Sequence, residues 1–197
     1  ITVLTDFAPS GLHLPPDGRY VFGGADGVEL EWPPGLDPGS PRPETVLALV
    51  SSEPHDVSVL EQYGMRGKRV STGSPKSGTE VIANRLLQSA GLDPAKDVQA
   101  QRLDLAKTVD GMKSGSIDAM VWSGGLPTPG ITDLFTTARN QVTFLDITPL
   151  LPAMRKISGA YEQASIPAAT YGTAEDVPTI AVPNLLLVQE TLDADLA

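Results

Sequence analysis

The stretch GKRVSTGSPKSGTEVIANRLLQSAGL, residues 67–92, decides the fold because it passes from a strand through a glycine- and serine-rich turn into a helix. The apolar spacing predicts a helix over residues 78–90, with Gly91 as the glycine that ends it. Ser77 and Glu80 have the spacing of a capping box, which marks the first turn of a helix. We therefore expect a strand, a tight turn and a capped helix in direct succession.

The start of this helix is the candidate binding site. The first N–H groups of a helix lack partners within it and carry about half a positive charge, so they attract anions. Gly73 and Gly78 have the spacing of a nucleotide-binding Walker loop, but Thr79 stands where that loop needs lysine, which argues against ATP and GTP. We predict that Ser77, Gly78 and Thr79 bind a carboxylate. An ordinary capped helix without a ligand stays the alternative.

The rest of the chain alternates strands with helices. Apolar runs predict strands at residues 45–50, 117–122 and 141–147, and periodic segments between them predict helices. Thr128 and Thr148 each precede a proline, which is typical of a helix N-cap followed by proline at the first helical position. This alternation predicts an α/β fold with a mostly parallel sheet, in which ligands bind at the carboxyl ends of strands.

The N-terminal region is different in texture. Residues 1–43 carry eight prolines and seven glycines, which disfavours long helices. Within it, RYVFGGADGVELEW predicts a hairpin with Val28, Leu30 and Trp32 on one face. The following PPGLDPGSPRP predicts a stiff connector.

Composition restricts the classes of function. The chain has 197 residues, of which 41% are hydrophobic, and a net charge of −10, which disfavours nucleic acid and anionic membranes as partners. It has no cysteine, which excludes disulfides and zinc–thiolate sites. His13 and His55 are predicted as surface residues, and we expect no metal and no cofactor. No apolar run reaches membrane-spanning length and no signal peptide opens the chain, which we interpret as processed or incomplete.

Three segments occur in an order and spacing that resembles the TAXI family of solute-binding proteins, the receptors of a branch of TRAP transporters. They are GKRVSTGSPKSGTEVIANRLLQSAGL, MKSGSIDAMVWSGGLPTPGITDL and IPAATYGTAEDVPTIAVPNLLLV. The resemblance covers residues 44–192. It implies a type II periplasmic-binding fold with the ligand between two lobes, a small carboxylate or glutamate-like amino acid as ligand, an extracytoplasmic location, and a sodium-driven membrane permease of the TRAP type as partner.

The resemblance also implies which residues contact the ligand. They are Ser77, Gly78 and Thr79 at the helix start, Trp122 and Gly124 at a strand end, and Tyr171 and Thr170 near the crossing between lobes. A tryptophan that ends an apolar strand is otherwise typical of a core residue, and that interpretation of Trp122 stays open.

The implied domain organisation has four parts. They are a partial first lobe at residues 1–43, a crossing strand and linker at 44–66, an α/β second lobe at 67–165, and a return crossing with first-lobe strands at 166–197. The tail at 177–189 is expected to pair outside the second lobe. The family opens with a glycine-rich segment that is absent here, and GGADG at 23–27 replaces it poorly, so the first lobe is predicted to be incomplete.

Two other classes of function compete with a binding protein. An enzyme on the same two-lobed scaffold, acting on a small carboxylate, would need a nucleophile or a tuned acid–base pair at the cleft. The turn before the helix offers hydroxyls and backbone amides but neither histidine nor cysteine, which favours binding over turnover. A regulator is disfavoured because no helix-turn-helix segment is visible and the net charge is negative.

Overall fold

The computed structural model describes residues 2–4, 20–21, 29–30, 44–52, 64–183 and 185–187. The strands are β1 Thr2–Leu4, β2 Tyr20–Val21, β3 Glu29–Leu30, β4 Glu44–Ser51, β5 Arg69–Ser71, β6 Gln99–Gln101, β7 Ala119–Gly124, β8 Thr143–Leu145, β9 Glu162–Ile166, β10 Val177–Pro183 and β11 Leu185–Leu187. The helices are α1 Gly78–Ser89, α2 Leu105–Ser114, α3 Pro129–Thr137, α4 Leu151–Ile157 and α5 Ala168–Tyr171, and a 3₁₀ turn, Thr148–Leu150, precedes α4. The pairing of β2 with β3 confirms the predicted hairpin. Val28, Trp32, the proline-rich connector and both histidines lie outside the described residues.

A seven-stranded sheet forms the centre of the described chain, in the order β6-β5-β7-β4-β10-β9, and β8 pairs with the part of β4 that β10 leaves open. Strands β5 to β8 and β10 run in one direction, whereas β4 and β9 run against them. The predicted α/β fold is confirmed. The prediction of a mostly parallel sheet is wrong, because most of the strand pairs are antiparallel. Strand β4 lies between β7 on one side and β8 and β10 on the other, and it runs antiparallel to all three. Each of these three therefore has an antiparallel neighbour.

Strand β4 divides the core into two layers. Its side chains alternate across the sheet, so that Leu47 and Leu49 face one layer while Val46, Ala48 and Val50 face the other. The first layer contains the buried face of α1 together with α4, and the second contains α2, α3 and α5. Helices therefore cover both faces of the sheet, and burial of each large apolar side chain stabilises the fold by about 1.5–3 kcal/mol.

The C-terminal tail splits between two sheets. Strand β10 lies between β4 and β9 in the central sheet, so the prediction that the whole tail leaves this unit is wrong for Val177–Pro183. Ile180 and Ala181 are buried, and they keep the strand there. The next strand, β11, pairs with β1 outside the central sheet.

The predicted helix boundaries hold where a glycine or proline sets them. Gly91 has φ of +79° just beyond α1, as its predicted role requires. Thr128 is the N-cap of α3, although its hydroxyl donates to Gly125 O rather than capping the helix. The prediction of Thr148 as an N-cap is wrong: it lies inside the 3₁₀ turn, where Asp146 Oδ1 accepts bonds from its N–H and its hydroxyl.

An ion pair joins the amino-terminal ends of β5 and β7. These ends lie opposite to the carboxyl ends, where α1 starts. The Arg69 guanidinium donates to both carboxylate oxygens of Asp118, at 2.9 and 2.6 Å, and the Arg69 backbone N–H donates to the same carboxylate at 2.8 Å. These bonds stabilise the charged carboxylate and lower the pKa of Asp118 to about 2.

Candidate functional site

The turn before α1 is built as the sequence predicts, with one difference. Ser77 has extended backbone angles and its Oγ accepts the Glu80 N–H at 3.1 Å, which confirms the N-cap. In a capping box Glu80 would accept the Ser77 N–H, but here it accepts the Lys76 N–H at 2.7 Å. The Ser77 N–H instead donates to Ser74 O at 3.1 Å, which closes the turn. Lys76 takes a positive φ of 64° inside this turn.

The first turn of α1 keeps unpaired donors. Among the described residues, the N–H groups of Gly78 and Thr79 have no hydrogen-bond partner. Ser77 accepts the Glu80 N–H through Oγ and the Val81 N–H through its backbone oxygen, and it accepts no other N–H of the described residues. These two groups add to the positive end of the helix dipole. The helix start therefore has two backbone donors without partners among the described residues, and anion binding there stays a prediction.

A pocket of about 220 Å³ opens beside this helix start, at the carboxyl ends of β5 and β7. Its lining consists of Ser71, Gly73, Ser74, Ser77, Thr79, Leu103, Leu105, Thr108, Met120, Val121, Trp122 and Ser123. Every one of these side chains is uncharged. The pocket lies where ligands bind in sheets of this kind, at the carboxyl ends of the strands that alternate with helices.

Two pairs of hydroxyls line the pocket. Thr79 Oγ1 and Ser123 Oγ lie 2.9 Å apart and join the first turn of α1 to the end of β7. Ser71 Oγ and Thr108 Oγ1 lie 2.6 Å apart and are buried between β5 and α2. In each pair one hydroxyl donates to the other, so one proton per pair is left to donate to a further acceptor.

The position of Thr79 depends on a glycine. Gly73 has φ of +87°, and a Cβ built on it would lie 2.8 Å from Thr79 Cβ. Only glycine combines this backbone conformation with such a close approach. The turn therefore sets the Thr79 hydroxyl against Ser123 and fixes its place in the pocket wall.

Trp122 belongs to both the core and the pocket. Its side chain is 5% exposed and packs in the layer formed by α2 and α3, and it also lines the pocket. Its indole Nε1–H has no hydrogen-bond partner among the described residues. A Cβ on Gly124 would lie 2.8 Å from Trp122 Cζ2, so Gly124 leaves room for the indole without lining the pocket. Trp122 is therefore a core residue that also borders the pocket, and a ligand contact by Trp122 or Gly124 stays a prediction.

Tyr171 and Thr170 lie away from this pocket. The Tyr171 ring packs against Phe135 and Phe144, with centroids 6.1 and 5.7 Å away, and its hydroxyl accepts the Thr128 N–H at 2.9 Å. Burial raises the pKa of the Tyr171 phenol. Thr170 is half-buried on α5. Neither residue lines the pocket, and a ligand contact by either stays a prediction.

The pocket lining includes residues that the sequence interpretation missed, among them the hydroxyl-bearing Ser71, Thr108 and Ser123. Ser123 is the first polar residue after the apolar run of β7, so its place at a carboxyl strand end could have been noticed. Thr108 sits inside α2 and pairs with Ser71 across 37 positions of sequence, which no local pattern indicates.

Two further features bear on the class of site. Among the described residues, no three acidic or histidine side chains come close enough to hold a metal ion. The helices of the described part also include none whose length and hydropathy would let it cross a bilayer.

Residues 42–197 match the model of the NMT1-like family. The chain belongs to the NMT1-like family. That match covers the central sheet, the pocket and α1.

Solved structures give weaker and partial matches. The periplasmic aliphatic sulphonate binding protein SsuA from Escherichia coli shares 22% identity over 53% of this chain and 32% of its own, with a TM-score of 0.37. A protein from Bordetella bronchiseptica RB50 shares 18% identity over 72% of this chain and 40% of its own, with a TM-score of 0.39. An ancestral arginine-binding protein bound to glutamine shares 15% identity over 59% of this chain and 55% of its own, with a TM-score of 0.33. The chain thus spans between about a third and just over half of the length of these structures.

Proposed function

We propose that this chain is a solute-binding protein that captures a small carboxylate, an amino acid or an organic acid, at the start of α1. In this proposal it works outside the cytoplasm and delivers its ligand to a TRAP-type permease, as the TAXI resemblance implies. The type II periplasmic-binding architecture is part of the same proposal, with β4 and β10 in the second lobe together with residues 67–165, since the central sheet contains both strands.

The observation that carries the proposal is the set of donors at the start of α1, where Ser77 and Thr79 line the pocket and Gly78 lies between them in sequence. The unpaired N–H groups of Gly78 and Thr79 begin α1, and the hydroxyls of Ser77 and Thr79 line the pocket beside them. Hydrogen bonds to a charged acceptor contribute about 1.5–3 kcal/mol each. A carboxylate that accepts from several of these donors would be held firmly without a cationic side chain.

Binding is favoured over turnover by what surrounds these hydroxyls. A serine or threonine nucleophile needs a general base within hydrogen-bond reach. Ser77 Oγ accepts a backbone N–H, and Thr79 pairs with another hydroxyl, so neither contacts a base among the described residues. If the alternative holds and the protein is an enzyme acting on a small carboxylate, the acid should be converted chemically to a product during incubation. Proton NMR of the acid during incubation with the protein distinguishes the two.

A thermal-shift screen of small carboxylic acids and amino acids tests the proposal. We expect at least one carboxylate to raise the melting temperature in a concentration-dependent manner, because ligand binding stabilises the folded state by mass action. Amides of the same carbon skeletons serve as controls and should have no effect. A screen in which acids and amides behave alike would contradict carboxylate binding.

The location and the permease need a separate test. We expect the native full-length product outside the cytoplasm, and expect uptake of the acid by cells to require both this protein and a TRAP-type permease. Detection of the native product only in the cytosol would contradict this part of the proposal while leaving the binding site in place.

A further inference from the structure

The inference concerns the wall of the pocket and not the nature of the ligand, and it rests on the proposed function. An ion pair joins the first turn of α1 to the chain that follows β6, where Arg102 Nε lies 2.7 Å from Glu80 Oε1. The next residue, Leu103, lines the pocket. We propose that Glu80 and Arg102 are positioning residues of the binding site, which hold Leu103 in the pocket wall without contacting the ligand.

Hydrogen bonds fix the Glu80 carboxylate relative to the turn before α1. The Glu80 N–H donates to Ser77 Oγ at 3.1 Å, and Glu80 Oε2 accepts the Lys76 N–H at 2.7 Å. The Glu80 side chain is 14% exposed, so it is packed as well as bonded. Its second oxygen, Oε1, is therefore a fixed acceptor for Arg102, next to the turn that places Ser77 in the pocket lining.

The chain between β6 and α2 is attached at both ends and is joined to α1 between them. Strand β6 ends at Gln101, is three residues long and, among the described strands, pairs only with β5. Leu105 is fixed against α3, because a Cβ on Gly130 would lie 2.9 Å from Leu105 Cδ2. Leu103 lies between these two attachments and is half-buried. The Arg102 side chain is a direct link from this stretch of chain to α1.

The pair lies outside the pocket. Neither Glu80 nor Arg102 belongs to the pocket lining, and both line a separate groove together with Asn84 and Ala100. An effect of the pair on a ligand in the pocket is then exerted either through the position of Leu103 or through the field of the two charges. These two routes give opposite results when Glu80 alone loses its charge.

Three variants, Glu80→Gln, Arg102→Met and the two combined, separate these routes. If the pair holds Leu103, every variant releases it and should bind about two- to fivefold more weakly than wild type, in keeping with the modest strength of an exposed ion pair. The double variant should bind no more weakly than either single one, because the second substitution has no pair left to break.

A purely electrostatic effect gives a different pattern. Glu80→Gln would then bind an anion more tightly than wild type, because a negative charge beside the site is gone, and the double variant would bind like wild type. That pattern overturns the inference. Variants that all bind like wild type overturn it as well.

The measurement is isothermal titration of the whole chain with succinate, 4-methylpentanoate and L-glutamate, and the acid that wild type binds with the lowest Kd is the probe for every variant. Lys96→Met is the matched control, because Lys96 also forms an exposed ion pair, with Asp93 at 3.0 Å, and lies outside the pocket lining. The control should bind like wild type. Arg102→Lys keeps a cation within reach of Glu80 and should retain more affinity than Arg102→Met; equal losses would contradict the ion pair as the cause.

Hydrogen–deuterium exchange measures the wall without a ligand. The backbone N–H groups of residues 102–108 should exchange faster in Arg102→Met than in wild type, because this stretch has lost its link to α1 and opens locally more often. The N–H groups of residues 81–89 in α1 should exchange as in wild type. Unchanged exchange at residues 102–108 would contradict the role of the pair in holding Leu103.

The outcomes also separate this inference from the proposed function. If wild type binds a probe and Thr79→Val weakens that binding whereas the Glu80 and Arg102 variants do not, the carboxylate site stands and the positioning role is wrong. If none of the three acids binds, the acid with the largest thermal shift in the wider screen becomes the probe. If that screen also gives no hit, the proposed function fails, and the positioning role in binding fails with it.

Discussion

Replacing Thr79 with valine removes one hydroxyl from the pocket and keeps the shape of the side chain. Both residues are β-branched and have similar helix propensities, so α1 should begin at the same place. The close approach of Gly73 to Thr79 Cβ is unchanged, because Cβ is common to the two side chains. The substitution therefore isolates the contribution of the hydroxyl.

The expected magnitude follows from the two states of that hydroxyl. In the free protein it bonds Ser123 Oγ at 2.9 Å, and Ser123 is half-buried, so water can replace the lost partner. The loss of stability should then be about 1 kcal/mol or less. In the complex the hydroxyl would bond a carboxylate, which contributes about 1.5–3 kcal/mol. At 1.4 kcal/mol per decade, affinity should fall about tenfold to a hundredfold.

The assay is isothermal titration with the acid that gives the largest thermal shift. Thr136→Val is the matched control: Thr136 is exposed on α3, its hydroxyl donates to Thr132 O at 2.7 Å, and it lies outside the pocket lining. We expect the control to bind like wild type. If folded Thr79→Val also binds like wild type, the turn only caps a helix, and the assignment of the carboxylate to this site is wrong.

Substitutions at three further positions test other parts of the structure. Gly124→Ala should displace the Trp122 indole, because its Cζ2 lies 2.8 Å from the position of the new methyl group. The substitution should lower the affinity for the ligand and shift the tryptophan emission. Unchanged emission would contradict this packing. Asp118→Asn should lower the free energy of unfolding by about 1–2 kcal/mol at pH 7, a value reduced for partial exposure. The pKa of Asp118 in the folded protein is about 2, below its ordinary 3.8, so the extra stability of wild type over Asp118→Asn should be lost as pH falls from about 4 to about 2. Urea titrations at several pH values measure this difference in the free energy of unfolding. A difference that does not change with pH would rule out the ion pair with Arg69 as its cause. Lys76→Gly should keep stability within about 0.5 kcal/mol whereas Lys76→Val should lose about 1–2 kcal/mol, because φ is +64° there; equal melting temperatures would contradict that backbone conformation.

The parts of the fold that could be predicted from sequence depend on local chemistry. The N-cap at Ser77 follows from a serine and a glutamate three positions apart, and the end of α1 follows from Gly91. Both are settled within one turn of helix, so a single sequence contains the information. The same holds for the start of α3 after Thr128.

The parts that could not be predicted depend on distant pairings. The apolar run of β4 indicates a buried strand but carries no information on its direction, so its antiparallel position beside β7 was missed. Strand β10 likewise has an apolar pattern that indicates burial but does not identify β4 and β9 as the strands it pairs with.

The candidate site shows the same division. Thr79 was predicted from the helix start, whereas its partner Ser123 lies 44 positions away and becomes visible only when β5 and β7 are paired. Tyr171 was assigned to the site by the family resemblance, and in the structure its hydroxyl accepts a hydrogen bond from the Thr128 N–H. The helix-start part of the site is therefore local, and the pocket around it is a product of the sheet.

The most direct test of carboxylate binding at α1 is a crystal structure of the chain with the acid that gives the largest thermal shift. We expect the carboxylate oxygens at about 2.7–3.2 Å from Thr79 N and Gly78 N, the range of ordinary hydrogen bonds, with the carbon body toward Leu103 and Leu105. A bound acid whose carboxylate lies elsewhere, with water on these two N–H groups, would contradict the account.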